Sequence, residues 1–173
     1  KILSVVIINY NTAEMTEKVI RNFIDKERGS DYEIILIDNG SKEKLDEERF
    51  RELGVRLIIN RENLGFAKAA NQGIEASNSE FILLFNSDVF IEEGAISKMI
   101  KYAEKDKKIG IMGPRFLYPD DRSQISAGYT PAFWREIVKL SLFYKILPFN
   151  TSYITDFKNI REVDWMSGGC LLI

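Results

Sequence analysis

FILLFNSDV, residues 81 to 89, runs apolar from Phe81 to Phe85 and then breaks abruptly into Asn86, Ser87 and Asp88. Two earlier runs end the same way. Leu3 to Ile8 is followed by Asn9, Tyr10 and Asn11, and Glu33 to Ile37 by Asp38, Asn39, Gly40 and Ser41. Short apolar runs bounded by polar and turn residues read as buried strands. Three strands that stop in amides, hydroxyls and carboxylates bring those groups to one sheet edge. In an open parallel sheet, that carboxyl edge lines the crevice where ligands bind.

Working outward, the segments between the runs read as helices. Met15 to Ile24 has apolar residues at 15, 19, 20, 23 and 24, with Thr12 as a start signal. Asn63 to Ala76 places Leu64, Ala67, Ala70 or Asn71, and Ile74 on one face, and Gly65 near its start lets a backbone approach a ligand closely. Glu93 to Lys105 is again amphipathic, and Val55 to Ile59 and Ile109 to Met112 supply further strands before Gly113 and Pro114 break the pattern. Strands alternating with helices predict right-handed crossovers and a largely parallel sheet. The charged run Lys42 to Glu52 reads as a solvated helix face. Beyond Pro114 regularity fades into a turn-rich stretch at Tyr118 to Arg122 and a mixed aromatic and basic region from Ser126 to Thr155. The division expected is one domain, with a nucleotide-binding part at about 1–113 and a variable, substrate-facing part at about 114–173.

Composition narrows the chemistry. A chain of 173 residues with 45% apolar content suits one domain with a sizeable core. With 24 basic and 26 acidic residues, the net charge of −2 gives no case for a nucleic-acid partner. Histidine is absent, which removes the usual general base and nitrogen ligand, so acid and base work must fall to carboxylates. Cys170 is the only cysteine, which excludes an intrachain disulfide and a thiolate zinc site and fits a reducing cytoplasm. The opening run Leu3 to Ile8 is too short for a membrane span of about 20 residues. At the other end, the chain stops inside the apolar stretch Gly168 to Ile173, which reads as a domain cut short.

The strand-end residues admit both structural and ligand-binding readings. Asp38 and Asn39 offer an acceptor and a donor–acceptor pair suited to a pyrimidine edge, while Asp-Asn-Gly is also ordinary turn chemistry. Asn9, Tyr10 and Asn11 suit stacking on a base and binding ribose or phosphate, or a strand-end turn. Asn86, Ser87 and Asp88 suit a hard, oxygen-liganded cation, and Ser87 or Asp88 alone suits a helix cap.

Taken together, VVIINYNT at 5–12, IILIDNGSKE at 34–43, NRENLGFAKAANQGI at 60–74, FILLFNSDV at 81–89 and VDWMSGGCLLI at 163–173 resemble the family 2 glycosyltransferases, in particular their rhamnosyltransferase-like branch. The resemblance implies a GT-A fold, an α/β Rossmann-like domain with a mostly parallel central sheet flanked by helices. It implies nucleotide contacts from Ile8, Asn9, Tyr10, Asn11, Asp38, Asn39, Asn63, Gly65, Phe66, Asn71 and Ser87. Asn86 and Asp88 would occupy the metal positions for Mg²⁺ or Mn²⁺, with an amide where the first acid is usual. Trp165, Gly168 and Gly169 would approach the donor sugar and acceptor, or form a core strand with an aromatic plug. The family's catalytic carboxylate finds no match before Ile173, so the base is expected beyond it, and Asp156, Glu162 and Asp164 are left unassigned.

The implied activity is inverting transfer of a sugar from a nucleotide diphosphate, UDP or dTDP ahead of GDP, to an acceptor hydroxyl on a glycan or lipid-linked glycan. The setting implied is cell-surface polysaccharide synthesis in the cytoplasm at the inner face of the membrane. Trp134, Ile137, Val138, Leu140, Leu142, Phe143, Ile146, Leu147 and Phe149, with Lys139 and Lys145, are the candidates for peripheral membrane contact, or for a helix packed on the core. A nucleotidyltransferase is disfavoured by the lack of a glycine-rich basic loop after the first strand. A non-catalytic sugar-nucleotide-binding domain is the alternative that Asn86 and the unmatched base favour.

Overall fold

The computed structural model describes residues 1–130 and 159–173. Its elements, in chain order, are β1 (Leu3–Asn9), α1 (Ala13–Lys26), β2 (Tyr32–Asp38), α2 (Glu47–Glu52), β3 (Val55–Ile59), α3 (Phe66–Ala76), β4 (Phe81–Asn86), α4 (Ala95–Ala103), β5 (Ala127–Gly128), β6 (Trp165–Met166) and β7 (Cys170–Leu172). They form two compact units, Lys1–Met112 with Gly168–Ile173, and Gly113–Ser167.

The first unit is an α/β layer. Its five-stranded sheet has the order β3-β2-β1-β4-β7, in which β1 to β4 run parallel. The strands are almost continuously apolar because both faces are covered. On one face Val6, Ile35, Ile37 and Leu84 pack on Ala69 and Ala70 of α3. Gly73 permits that close approach, since a Cβ there would lie 2.2 Å from Val6 Cγ1 and 2.9 Å from Ile37 Cδ1. Val19, Ile20 and Phe23 of α1 are likewise buried. The Phe23 ring meets Tyr32 and Phe85 edge-on, at centroid distances of 5.1 and 5.8 Å.

The structure departs from the sequence reading in three places. Ile109 to Met112 forms no strand: only Met112 reaches the sheet, exchanging two 2.8 Å backbone bonds with Leu172. The place beside β4 belongs instead to β7, which pairs antiparallel through Leu83 with Leu172 and Phe85 with Cys170. Helix α3 begins at Phe66 rather than Asn63, because Gly65 takes a left-handed φ of 82° and Asn63 Oδ1 accepts its N–H at 2.8 Å. The buried stripe of α3 is accordingly Ala69, Ala70 and Gly73, and Ala67 is exposed. Within the charged run, only Glu47–Glu52 is helical, capped by Asp46, with Phe50 turned into the core.

Helix α4 lacks a side-chain cap of its own at Gly94. The buried Glu27 carboxylate replaces one, accepting from Ile96 N–H at 2.7 Å and from Ser97 Oγ at 2.5 Å. In the second unit, β5 and β6 pair antiparallel through Ala127 with Met166 and Gly128 with Trp165. The 118–122 stretch is the turn expected, closed by Tyr118 N–H to Arg122 O at 2.8 Å. No helix among the described residues is long and apolar enough to cross a membrane. The residues singled out for membrane contact, Trp134 to Phe149, and also Asp156, lie outside the described residues.

Candidate active site

Parallel pairing fixes what sits at the carboxyl edge. The register sets Asn9 opposite Asp38 and Ile8 opposite Asn86, so the ends of β2, β1 and β4 meet in a row. All three clusters belong to the first unit.

The ends of β1 and β2 are bound to each other by side chains. Asn9 is wholly buried and donates from Nδ2 to Asp38 Oδ1 at 2.7 Å and to Ser41 Oγ at 3.1 Å. Its Oδ1 accepts from the hydroxyls of Thr12 and Thr16 at 3.0 and 2.9 Å. Ser41 Oγ also donates to Asp38 Oδ1, at 2.5 Å, and accepts from Asn11 N–H at 2.9 Å. Asn11 holds a left-handed φ of 57°, a conformation asparagine tolerates, and its Oδ1 receives Lys42 N–H at 2.8 Å. Asp38 thus keeps Oδ1 turned inward under two donors, while Oδ2 has no partner among the described residues.

Asn39 performs a similar task for the next loop. It is 2% exposed, and its Oδ1 accepts from Asn60 Nδ2 and Leu64 N–H, both at 3.1 Å, while Nδ2 donates to Asn63 Oδ1 at 3.0 Å. An Asn60–Gln72 amide pair, bonded in both directions at 2.8 and 3.0 Å, ties this loop to α3. Gly40 is obligatory there, since its φ is 75° and a Cβ would stand 2.3 Å from the carbonyl carbon of Glu62. The side chains of Asn9 and Asn39, expected at the ligand, therefore face inward and are bonded within the protein. Ile8 packs on the α3-side core. Tyr10 and Phe66 are exposed aromatics after β1 and at the start of α3, at 44% and 52%. Asn71 is exposed on α3, roughly 7.5 Å further along the helix than Phe66 at 1.5 Å per residue.

The end of β4 is different in kind. Asn86 and Ser87 are half-buried and Asp88 is exposed. The Asn86 main chain is fixed, donating N–H to Gly169 O at 2.9 Å and accepting from Val89 N–H at 3.4 Å. No hydrogen bond or ion pair engages the Asp88 carboxylate or the Asn86 amide among the described residues. The Ser87 hydroxyl lies 3.3 Å from Thr12 Oγ1. Because Thr12 gives its proton to Asn9, Ser87 is the donor in that contact, which leaves its oxygen to accept from outside.

Among the described residues no three carboxylates, cysteines or histidines gather to hold an ion by themselves. One free carboxylate and one free amide oxygen fit a hard cation of the kind that keeps one or two protein ligands and completes its shell with phosphate and water. Gly168 and Gly169 lie in the first unit and lead into β7, with Gly169 against Asn86. Trp165 lies in the second unit, on β6. There, Asp164 Oδ2 accepts from Thr130 N–H at 2.8 Å, so that carboxylate closes a loop.

Sequence reasoning missed Thr16, and it named Ser41 at the strand end without its bonding role. Thr16 carried a signal, a hydroxyl on the otherwise apolar buried face of α1. Ser41 follows Asp38 by three residues, the spacing of a local side-chain bond.

The sequence model of glycosyl transferase family 2 matches residues 4–166. The chain is 26% identical to the N-acetylglucosaminyl-diphospho-decaprenol L-rhamnosyltransferase of Mycobacterium tuberculosis, an alignment covering 99% of this chain and 61% of that protein. It is 25% identical to glycosyltransferase GlyG of Streptococcus pneumoniae over 69% of this chain and 41% of that one. The chain thus spans less than two thirds of the length of these relatives. Among solved structures it is similar to the mannosyltransferase PcManGT of Pyrobaculum calidifontis in complex with GDP-Man and Mn²⁺. That likeness has a TM-score of 0.61 at 20% identity and covers 69% of this chain and 36% of that one. Similarity to S. aureus TarS in complex with UDP-GlcNAc has a TM-score of 0.54 at 18% identity, over 61% and 32% of the two chains. These likenesses establish the shared fold.

Proposed function

Because the chain belongs to glycosyl transferase family 2, we propose that it carries the donor-binding part of an inverting glycosyltransferase. The substrate class is a nucleotide diphosphate sugar, and the product is a glycan or lipid-linked glycan of the cell surface, made at the inner face of the membrane. The observation that carries this reading is the pairing across β1 of a half-held carboxylate, Asp38, with the unpartnered Asn86 and Asp88. A base-reading group and a phosphate-end group thereby stand on the two strand ends that flank β1, in the order a nucleoside diphosphate requires. Residues about 1–113 form the nucleotide-binding part in this reading, and about 114–173 the acceptor side.

Each residue has a task that its surroundings suit. Asp38 Oδ2 accepts a ring N–H of the base, Tyr10 or Phe66 covers the base face, and main-chain groups at Tyr10 and Asn11 meet the ribose. Asn63 and Gly65 shape the loop that closes over the base and diphosphate, and Asn71 lies further along the same helix. Asp88, with the Asn86 amide oxygen, would hold Mg²⁺ or Mn²⁺, and Ser87 offers an acceptor beside them. A bound divalent cation supplies charge neutralisation on the departing diphosphate. Gly168 and Gly169, backbone without side chains next to Asn86, leave room for the donor sugar, and Trp165 is assigned to the acceptor side. No general base is assigned, since Asp164 is engaged in its own loop.

Calorimetric titration with UDP, dTDP and GDP, each with and without Mn²⁺, on wild type and Asp88→Ala, tests the reading. Binding that needs both Mn²⁺ and Asp88 supports it, and indifference to both removes it. Asn86, an uncharged ligand where an acid is usual, favours one competitor, a non-catalytic sugar-nucleotide-binding domain. That competitor predicts nucleotide binding with neither transfer nor hydrolysis of the donor in the complete protein.

A further inference from the structure

We propose that Asn9 is a positioning residue that sets base selectivity without touching the ligand, by fixing the direction in which the Asp38 carboxylate presents its free oxygen to the nucleobase. This inference rests on the donor-site reading above. It begins from the saturation of Asn9. The amide accepts from two threonine hydroxyls, at 3.0 and 2.9 Å, and donates to Asp38 Oδ1 and Ser41 Oγ, at 2.7 and 3.1 Å. All four hydrogen-bonding positions of the side chain are therefore in use. Its orientation is forced by chemistry, because turning the amide over would set its oxygen against a carboxylate oxygen and waste both threonine donors.

Asp38 inherits that orientation. Its main chain is fixed by the β1–β2 register and by Asn60 N–H on its carbonyl at 2.8 Å. With Asn9 and Ser41 both on Oδ1, rotation of the carboxylate breaks two bonds, one of them from a group with no exposure to water. Oδ2 is then held facing one way, with its lone pairs free to accept. Uracil and thymine offer it N3–H, and guanine offers N1–H. Cytosine and adenine present a lone pair at the equivalent ring nitrogen, which repels a carboxylate oxygen. Without Asn9 the carboxylate keeps only Ser41 and turns more freely, so its directed contact with a ring N–H weakens and the difference between these two groups of bases narrows.

The test is calorimetric titration of the 173-residue chain with UDP and CDP in Mn²⁺, with dTDP or GDP replacing UDP where one of them binds tighter. Variants are Asn9→Ala, Thr16→Val, Thr16→Ser and Asp38→Ala, each checked for a cooperative thermal transition. Asn9→Ala is expected to weaken UDP about tenfold and CDP less than about twofold, the scale of one charge-assisted hydrogen bond. Thr16→Val, which removes one donor to Asn9 without changing shape, should narrow the UDP-to-CDP ratio about threefold, and Thr16→Ser should restore it. A ratio unchanged in folded Asn9→Ala, or UDP and CDP weakening in parallel, overturns the proposal while leaving the donor site standing. Should Asn9→Ala not fold, the Thr16 pair decides by the same criterion. UDP affinity indifferent to Asp38→Ala, or no binding of any of the nucleotides, removes the donor-site reading and this inference with it.

Discussion

The two ends of the strand row differ in how their polar groups are satisfied. At the ends of β1 and β2, Asn9, Asp38 and Asn39 are 0%, 4% and 2% exposed and bonded to one another and to the following loops. At the end of β4, Asn86 has a fixed main chain, and the side chains of Asn86 and Asp88 are bonded to nothing among the described residues. Buried polar groups are retained where they are paired, and two unpaired side chains that reach water cost little. The first region is thus complete in itself, and in the proposed reading the second is left for a ligand to complete.

The largest expected effect comes from breaking the prebuilt region at its tightest point. Gly40→Ala must place a Cβ 2.3 Å from Glu62 backbone at a φ of 75°. Left-handed strain together with overlap predicts a loss of about 3 kcal/mol or more, read from the urea midpoint, and loss of nucleotide binding. Asn39→Ala is the milder break, leaving the Leu64 N–H and the Asn60 amide without their acceptor. About 2 kcal/mol of destabilisation is expected from that unmet pairing. An Asn39→Ala protein as stable as wild type would mean that the loop is held by α3 contacts instead.

The open end answers in the opposite sense. Asn86→Asp adds a second acid where nothing is bonded, so stability should change by less than about 0.5 kcal/mol at a half-exposed position. Mn²⁺-dependent nucleotide affinity should rise by about tenfold as ligand charge increases. A melting temperature that falls sharply without Mn²⁺ and recovers with it would show instead that the two acids repel in the apo protein. Affinity unchanged by the added charge would take residue 86 out of the ligand set.

What the sequence made legible follows the same division. Apolar runs ending in polar residues placed β1 to β4, and Val55–Ile59 matches its strand to the residue, because burial on both faces leaves a local, continuous signal. The fifth strand was misplaced at Ile109–Met112 because antiparallel pairing of Cys170–Leu172 on β4 joins segments far apart in the chain. Nothing local distinguishes the two runs. Within the site, residue types were legible and their partners were not. That Asn9 meets Asp38 follows from strand register, and that Thr16 meets Asn9 follows from how α1 docks. Neither relation is written in spacing along the chain.

The smallest effect at neutral pH concerns the anchor beneath the open end. Cys170 pairs with Phe85, and Gly169 just before it holds the Asn86 N–H. Burial pushes the Cys170 thiol up to about 12 from an ordinary value of 9.0. The native state therefore keeps its proton over a range in which the unfolded chain loses it. Below about pH 9 both states are protonated and the thiol adds no pH dependence. Between about 9 and 12 the unfolded state binds fewer protons, so stability falls as pH rises, by at most about 1.4 kcal/mol per pH unit from this group. Urea midpoints at pH 8, 9 and 10 should show that slope in wild type and lose this contribution in Cys170→Ala, whatever constant offset the smaller side chain brings. Iodoacetamide should label the thiol only as the protein unfolds. Labelling at neutral pH as fast as in urea would mean that β7 leaves the sheet readily, and the end of β4 would then be open in its backbone as well as in its side chains.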